Sequence, residues 1–351
     1  MSADPTIVEL TGEDEAGLRA WAEVAAASAR HEVGPNATPW AAEELLVVAR
    51  HHDAERRSRF FAALVDGGLV GAGWLSLPLL DNLGSAELDV HVRPDRRRQG
   101  IGARLLAHLE STALAEGRTR YDAEVLWPHD GPADGAGTPG IEFARAHGYG
   151  FGLGDVQRTL VLPVADALLE EIAAEAAPHH AAYRLESWTG PIPDAWIESW
   201  LEVAASFNTE APAGAMEREA ESVDVPAFRT GEAVIELQGR SVWHTVALDQ
   251  ADRVVAYTVL VLPTHDRDFV FQWATLVRPE HRGHRLGVAV KVRNLLALQA
   301  GADAADLAGR RLVTWNAEVN DHMIAINDRL GFVRTARLGE VQKKVVDPTP
   351  A

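Results

Sequence analysis

Apolar residues follow two different spacings along this chain. After residue 102, leucines recur three and four positions apart as far as Gly117, a spacing typical of an amphipathic helix. Before that helix, apolar runs of strand length occupy residues 60–65, 69–77 and 86–92. Because several strands come first and a strand, loop, helix and strand follow, the pattern predicts an α+β domain around a mixed, mostly antiparallel sheet flanked by helices.

The whole pattern occurs twice. Residues 92–102 return in altered form at 277–287, and the pair Gly148-Tyr149 returns as Gly331-Phe332 in nearly the same register. Two landmarks that keep their spacing across half a chain predict two copies of one domain. We therefore expect a first domain at 1–163, a helical linker at 164–181 and a second domain at 182–351.

Composition restricts the possible chemistry. With 351 residues, of which 47% are hydrophobic and 24% charged, the chain is long enough for two globular cores. It has no cysteine, which excludes disulfides, thiolate metal sites and an acyl-cysteine intermediate. The paired histidines at 51–52 and 179–180 have no partner at ligand spacing, so we expect no metal.

The charge of the chain bears on its partners and location. A formal net charge of −18 disfavours a nucleic-acid surface and suits a cationic acceptor such as an amine. The first residues lack the basic and apolar blocks of a signal peptide, and the longest nearly apolar run, 254–262, is too short to span a bilayer. We expect a cytoplasmic monomer or homodimer with no membrane partner.

The first landmark lies where an apolar strand ends and a helix begins. Backbone N–H groups at such a junction can hold a phosphate. Gly100 and Gly102 would let the backbone approach a diphosphate closely, and Arg97 and Arg98 would add ionic contacts. A third glycine in a βαβ context and a Gly-Lys-Ser/Thr sequence are both missing, which excludes a dinucleotide fingerprint and a P-loop.

These residues resemble a known family. Val92, Pro94, Arg97, Gly100 and Gly102 form the string Val-x-Pro-x-x-Arg-x-x-Gly-x-Gly, which resembles the acetyl-CoA loop of the GCN5-related N-acetyltransferases (GNAT). The tandem form is similar to the two-copy acetyltransferases of actinobacteria, mycothiol synthase among them. The resemblance implies two GNAT-like domains, acetyl-CoA as the acyl donor, and direct attack on its thioester by a small-molecule primary amine.

The resemblance also implies which residues bind the donor. The end of the strand at 86–92 would supply backbone N–H groups that polarise the thioester carbonyl, and the loop after it would hold the diphosphate. The cofactor-binding residues are then Val90, His91, Val92, Arg97, Arg98, Gln99, Gly100, Ile101, Gly102 and Ala103.

Three ionisable residues alternate along the strand before the loop. Glu87, Asp89 and His91 therefore share one face, since side chains alternate along a strand. An amine with a pKa of about 10 must lose a proton before it attacks. The family carries its glutamate base on this strand or the next, which implies Glu87 first and Glu124 second, with His91 completing the catalytic set. The matching positions in the second copy are Gln272, Ala274 and Leu276.

Two departures from the family leave alternatives open. The tyrosine that commonly protonates the departing thiolate is replaced by Ala144 in the first copy and by Asn327 in the second, and Arg285 stands at the position of Gly100. Catalysis in the first copy is the leading hypothesis, with the second copy shaping the acceptor cleft or binding another CoA. The alternatives are catalysis in the second copy and a non-enzymatic CoA-binding sensor or scaffold.

Overall fold

A computed structural model describes residues 4–345 of the chain. The helices are α1 (Glu15–Val33), α2 (Ala42–Arg50), α3 (Ile101–Ala115), α4 (Pro139–Ala146), α5 (Asp166–Ala176), α6 (Ile197–Ala205), α7 (Phe207–Glu210), α8 (Val225–Leu237), α9 (Leu286–Gly301), α10 (Ala304–Leu307) and α11 (Asp321–Leu330). The strands are β1 (Thr6–Leu10), β2 (Arg56–Val65), β3 (Gly68–Pro78), β4 (Ser85–Val92), β5 (Arg120–Pro128), β6 (Gly150–Val161), β7 (Arg184–Thr189), β8 (Arg240–Leu248), β9 (Val254–Pro263), β10 (Phe269–Val277), β11 (Arg311–Ala317) and β12 (Val333–Lys344).

The chain forms two compact units that do not follow the expected contiguous division at 163 and 182. The described part of the first unit comprises 4–156, 213–219 and 335–345, and the second comprises 157–212 and 220–334. The difference arises from the last strand of each copy. In the first unit β5 pairs with β12, the final strand of the second copy, and in the second unit β11 neighbours the end of β6.

The sheet of the first unit has the strand order β1-β2-β3-β4-β5-β12. Its pairs are antiparallel except for β4 with β5, which are parallel, so the expected mixed, mostly antiparallel sheet is confirmed. The turn between β2 and β3 contains Asp66 and Gly67, both with positive φ, as a two-residue hairpin requires.

Helices cover both faces of this sheet. On one face Leu105 and Leu109 of α3 are completely buried with Leu88 of β4 in a core cluster. On the other face Leu18 and Trp21 of α1 pack on the side chains of β1 to β3. Since side chains alternate along β4, its polar residues lie on the α1 side of the sheet.

The second unit repeats this arrangement with the strand order β7-β8-β9-β10-β11-β6. Helix α9 follows its loop as α3 does in the first unit. The expected linker helix is α5, but it is not a free connection, because Leu169 and Ile172 are buried in the core cluster that α9 shares. Between residues 4 and 345, no helix has both the length and the apolar composition that crossing a membrane would require.

Candidate active site

In the first unit two neighbouring strands pair briefly and then separate. The parallel pairing of β4 with β5 covers residues 85–87 and 120–122 only, whereas β4 remains paired with β3 as far as Val92. Residues 88–92 therefore present one backbone edge to a gap in the sheet. An extended ligand with amide groups can fill such a gap by hydrogen bonding as an added strand would.

The loop that follows β4 ends at the start of α3. Arg98 and Gly100 both have a left-handed backbone, with φ of 62° and 80°. The segment 98–100 is exposed, and the residue before the helix has no side chain bonded to the free N–H groups of the first turn. Those N–H groups, from Ile101 to Ala103, lie at a helix N-terminus, where free backbone N–H groups can bind an anion.

The two loop positions differ in whether the structure itself requires glycine there. Gly100 needs its left-handed φ, although a Cβ there would meet nothing within 4 Å. Gly102 has no positive φ, and a Cβ would be 3.5 Å from Phe143 and Val92, an ordinary contact distance. Protein packing therefore does not require glycine at 102, whereas the space over Gly100 is open.

Arg97 corrects one expectation about the loop. Its guanidinium lies against α1, where it forms an ion pair with Glu32 and donates to Ser28 Oγ at 3.1 Å, and its Nε donates to Val92 O at 3.4 Å. These contacts turn the side chain away from an ionic contact with phosphate and make it an anchor for the loop. Arg98, in contrast, is exposed.

The structure places Glu87, Asp89 and His91 on one face of β4. The register between β3 and β4 is unbroken from Val92 back to Glu87, so no bulge changes the alternation. His91 Nε2 is 2.8 Å from Asp89 Oδ2, and Glu87 Oε2 accepts a hydrogen bond of 2.5 Å from Arg56. The two catalytic candidates of this row are therefore already paired. Glu87 contacts a cation, and His91 contacts an anion.

The His91–Asp89 pair is ionic. Burial opposes charge on either group, but the negative charge of Asp89 outweighs that effect and raises the pKa of His91. In the same way burial acts against ionised Asp89, and the imidazolium beside it prevails and lowers the pKa of that carboxyl. A raised pKa favours the protonated form of His91, and a general base needs the neutral form.

Glu124 has the most perturbed carboxyl on this face. Removal from bulk water is the largest cause and the nearby carboxylates of Glu340, Glu87, Asp89 and Asp155 follow, which together raise the pKa of Glu124 to about 8. The residue is nevertheless accessible to solvent at its surface. A carboxyl of this kind can accept a proton at the pH where an enzyme works.

Further residues at this face were not among the sequence candidates. Glu340 of β12 lies directly opposite Glu124, and Gln342 lies opposite Asp122, to which it donates a hydrogen bond of 2.7 Å. Arg218, from the segment 213–219, forms an ion pair with Glu340. The alternation of polar Glu340, apolar Val341 and polar Gln342 could have indicated a strand, but no local signal assigns that strand to the first unit.

Neither Tyr121 nor Tyr149 replaces the missing tyrosine. Ala144 is buried in the core of the first unit. The hydroxyls of Tyr121 and Tyr149 both donate to Glu110 of α3, at 3.1 Å to its carbonyl oxygen and 3.0 Å to its carboxylate. Both tyrosines are buried and committed to packing, so the departing group must take its proton elsewhere.

The second unit keeps the architecture without the carboxylates. Strands β10 and β11 pair over 269–271 and 311–313 and then separate. The loop is preserved because Gly283 and Arg285 have φ of 87° and 53° and so repeat the two left-handed positions of the first loop. The position of Glu87, however, is taken by Gln272, which is buried and donates to Thr258 Oγ1 and Val259 O across an irregularity of β10.

A buried polar chain occupies the matching part of the second unit. Asn327, at the position of the family tyrosine, accepts a hydrogen bond of 2.8 Å from Lys291 and donates one of 2.5 Å to Asn316. Burial lowers the pKa of Lys291 to about 7. These three groups satisfy one another, and none of them is a carboxylate.

Comparison with known proteins agrees with this architecture. Residues 22–130 match the family model described as the acetyltransferase (GNAT) family. Over 99% of its length the chain superposes on all of a tandem GNAT protein from the clavulanic acid biosynthesis pathway, with a TM-score of 0.76 and 26% identity. Residues 22–130 are therefore similar to the GNAT acetyltransferase family, and nearly the whole chain shares the tandem fold of a GNAT protein.

Two further proteins show where this chain stands among its relatives. It is 26% identical over 256 residues, 70% of this chain and 67% of the other, to the mycothiol acetyltransferase of Rothia mucilaginosa. A GCN5-related N-acetyltransferase from Sphaerobacter thermophilus shares the fold at 14% identity and a TM-score of 0.60, with 98% of each chain covered.

Proposed function

We propose that the first unit transfers an acetyl group from acetyl-CoA to a primary amine of a small, cationic acceptor. One observation carries the proposal. A single unit combines an exposed helix N-terminus, a gap between β4 and β5, and beside them a face on which Glu124 has a proton affinity suited to a base.

The donor would bind along the loop and the gap. The N–H groups of Ile101 to Ala103 would hold its diphosphate, with charge from Arg98 and with the open space over Gly100 receiving it. The amide-containing arm would then extend along residues 88–92, and the N–H groups near Val90 to Val92 would polarise the thioester carbonyl. Arg97 would hold the loop in place from behind.

The reaction requires one proton acceptor. The amine is mostly protonated near neutral pH, so ionised Glu124, directly or through water, would take its proton. The amine nitrogen then forms a bond to the carbonyl carbon and the carbon–sulfur bond breaks. The nitrogen loses its second proton to solvent, and the thiolate leaves. A thiolate with a pKa near 8.5 is a tolerable leaving group that can take its proton from solvent, which fits the absence of a tyrosine at Ala144.

The acidic face supports a cationic acceptor. Six carboxylates share it, against which Arg56, His91 and Arg218 supply positive charge through ion pairs. The net local charge is negative, as is that of the whole chain, so the field attracts ammonium groups. The carboxylates are those of Glu87, Asp89, Asp122, Glu124, Asp155 and Glu340. The name of the relative in Rothia mucilaginosa supports acetyl as the group transferred.

The base assignment can be tested with two matched variants. Glu124→Gln and Glu87→Gln each replace one carboxylate by a neutral amide of the same shape. With acetyl-CoA and a panel of mono- and diamines, release of free thiol should fall about 100-fold or more for Glu124→Gln, and less for Glu87→Gln, whose carboxylate is held by Arg56. Full activity in both variants would refute a carboxylate base on this face, and no thiol release by wild type with any amine would refute the proposed reaction.

The second unit remains a second candidate for donor binding because its loop keeps both left-handed positions. Titration calorimetry with CoA distinguishes the two. We expect Gly100→Glu to abolish turnover together with CoA binding at the first loop. Gly287→Glu should leave turnover intact. Loss of turnover only in Gly287→Glu would transfer catalysis to the second unit.

A further inference from the structure

Glu340 faces Glu124 across the pairing of β12 with β5. The two residues are direct partners in an antiparallel register, so their side chains project from the same face, with Cβ atoms about 5 Å apart. Like charges in this position repel each other. The last strand of the second sequence copy thus brings a carboxyl next to the candidate base of the first unit.

The surroundings bury Glu340 and hold it in place beside a cation. The residue is only 7% exposed and forms an ion pair with Arg218. Burial raises the pKa of Glu340, but the guanidinium opposes that effect. On the same strand Gln342 accepts from the backbone N–H of Glu217 at 3.2 Å and donates to its carbonyl oxygen at 3.2 Å, which fastens the segment 213–219 to β12.

We infer that Glu340, held by Arg218, is a positioning residue for catalysis in the first unit, where its negative charge sets the proton affinity of Glu124. The inference rests on the proposed function. It means that each sequence copy contributes to one catalytic face: the first supplies the base, and the second supplies the charge that tunes it.

Two of the other carboxylates around Glu124 are balanced by ion pairs. Glu87 is paired with Arg56 and Asp89 with His91, both on the β4 side. Asp122 accepts from Gln342 on the β12 side, and Asp155 of β6 contributes a further carboxylate. Glu340 comes first among the carboxylates that raise the pKa of Glu124. Of this coupled pair, Glu124 is the group that takes up the proton, because Glu340 has the guanidinium.

The test is Glu340→Gln, which removes the charge and keeps the shape. We expect the acid limb of the pH profile of kcat/KM to move to lower pH by about one unit. A purely structural role would lower the rate without moving that limb. Glu142→Gln, on the exposed surface of α4, is the matched control and should leave the profile unchanged.

A second measurement does not depend on turnover. Carboxyl carbon-13 NMR titration of the full chain, with the Glu124 signal assigned by its loss in Glu124→Gln, should show its midpoint lowered in Glu340→Gln. An unmoved midpoint overturns the inference while the reaction itself stands. A lowered midpoint with an unmoved rate profile also overturns it, because Glu124 is then not the base. Absence of turnover in wild type overturns the proposed function and, with it, the role of Glu340.

Discussion

At the scale of single residues, the distinction between the two glutamates lies in their partners. The carboxylate of Glu87 forms an ion pair with Arg56, whereas among residues 4–345 no group donates a hydrogen bond to the carboxylate of Glu124. The sequence put Glu87 first because it follows the family in position along the strand. The sequence alone could not show the charges around each carboxyl, because those charges come from strands that are distant in sequence.

The pKa of Glu124 has a consequence for stability. An ordinary carboxyl ionises near pH 4.5, while folding raises the pKa of Glu124 to about 8. Between these values the folded protein must keep a proton that the unfolded chain releases, so this residue destabilises the fold increasingly as the pH rises toward 8. We predict that Glu124→Gln gains thermal stability relative to wild type between pH 5 and pH 8, with a constant difference above pH 8. Differential scanning calorimetry across that range measures the difference in thermal stability between the variant and wild type. A difference that does not change with pH would contradict the assignment.

At the scale of elements, the loop between β4 and α3 combines an anchor and an anion site. The sequence predicted the loop, its helix and the polar row of β4, because local spacing and alternation determine them. It did not predict α8, and it assigned Arg97 to the cofactor. Which group Arg97 contacts depends on the helix that packs behind the loop. Here that helix is α1, whose end supplies Glu32 and Ser28.

The two arginines of the loop should respond differently to truncation. Arg97→Ala leaves the half-buried carboxylate of Glu32 without its cation, and we expect a loss of about 1–3 kcal/mol in unfolding free energy. Arg98→Ala removes an exposed side chain, so it should leave stability unchanged and weaken CoA binding, with a smaller salt dependence. Chemical denaturation and calorimetry at two salt concentrations measure both. Equal stability losses in the two variants would refute the anchor role.

At the scale of the whole molecule, the repeat in the sequence is confirmed as two units of the same fold, and the boundary between them is where the sequence misled. Strand pairing between distant segments leaves no local signature, and β12 carries the same alternation whichever sheet receives it. Its partners in the first unit show the assignment: Val341 is 2% exposed within the core of that unit, beside Leu88 and Tyr121.

This strand assignment makes a prediction about fragments. Residues 1–163 contain a complete sequence copy but lack β12, which would leave β5 as an unpaired edge and expose the apolar contacts of Val341. We expect this fragment alone to aggregate or to be digested quickly, and co-expression with residues 182–351 to restore resistance to protease. A stable, cooperatively unfolding 1–163 fragment would show that β12 is dispensable to the first unit.

The most direct test of the central claim, that the first unit holds the acyl donor at the start of α3, is thiol release from acetyl-CoA by Gly100→Glu and Gly137→Glu. Both glycines have a left-handed φ, of 80° and 81°, and a Cβ at either would meet nothing within 4 Å, so the backbone cost is matched and only the first places a carboxylate at the proposed diphosphate site. The account predicts that Gly100→Glu loses turnover and CoA binding while Gly137→Glu keeps both. Undiminished turnover by Gly100→Glu would contradict it.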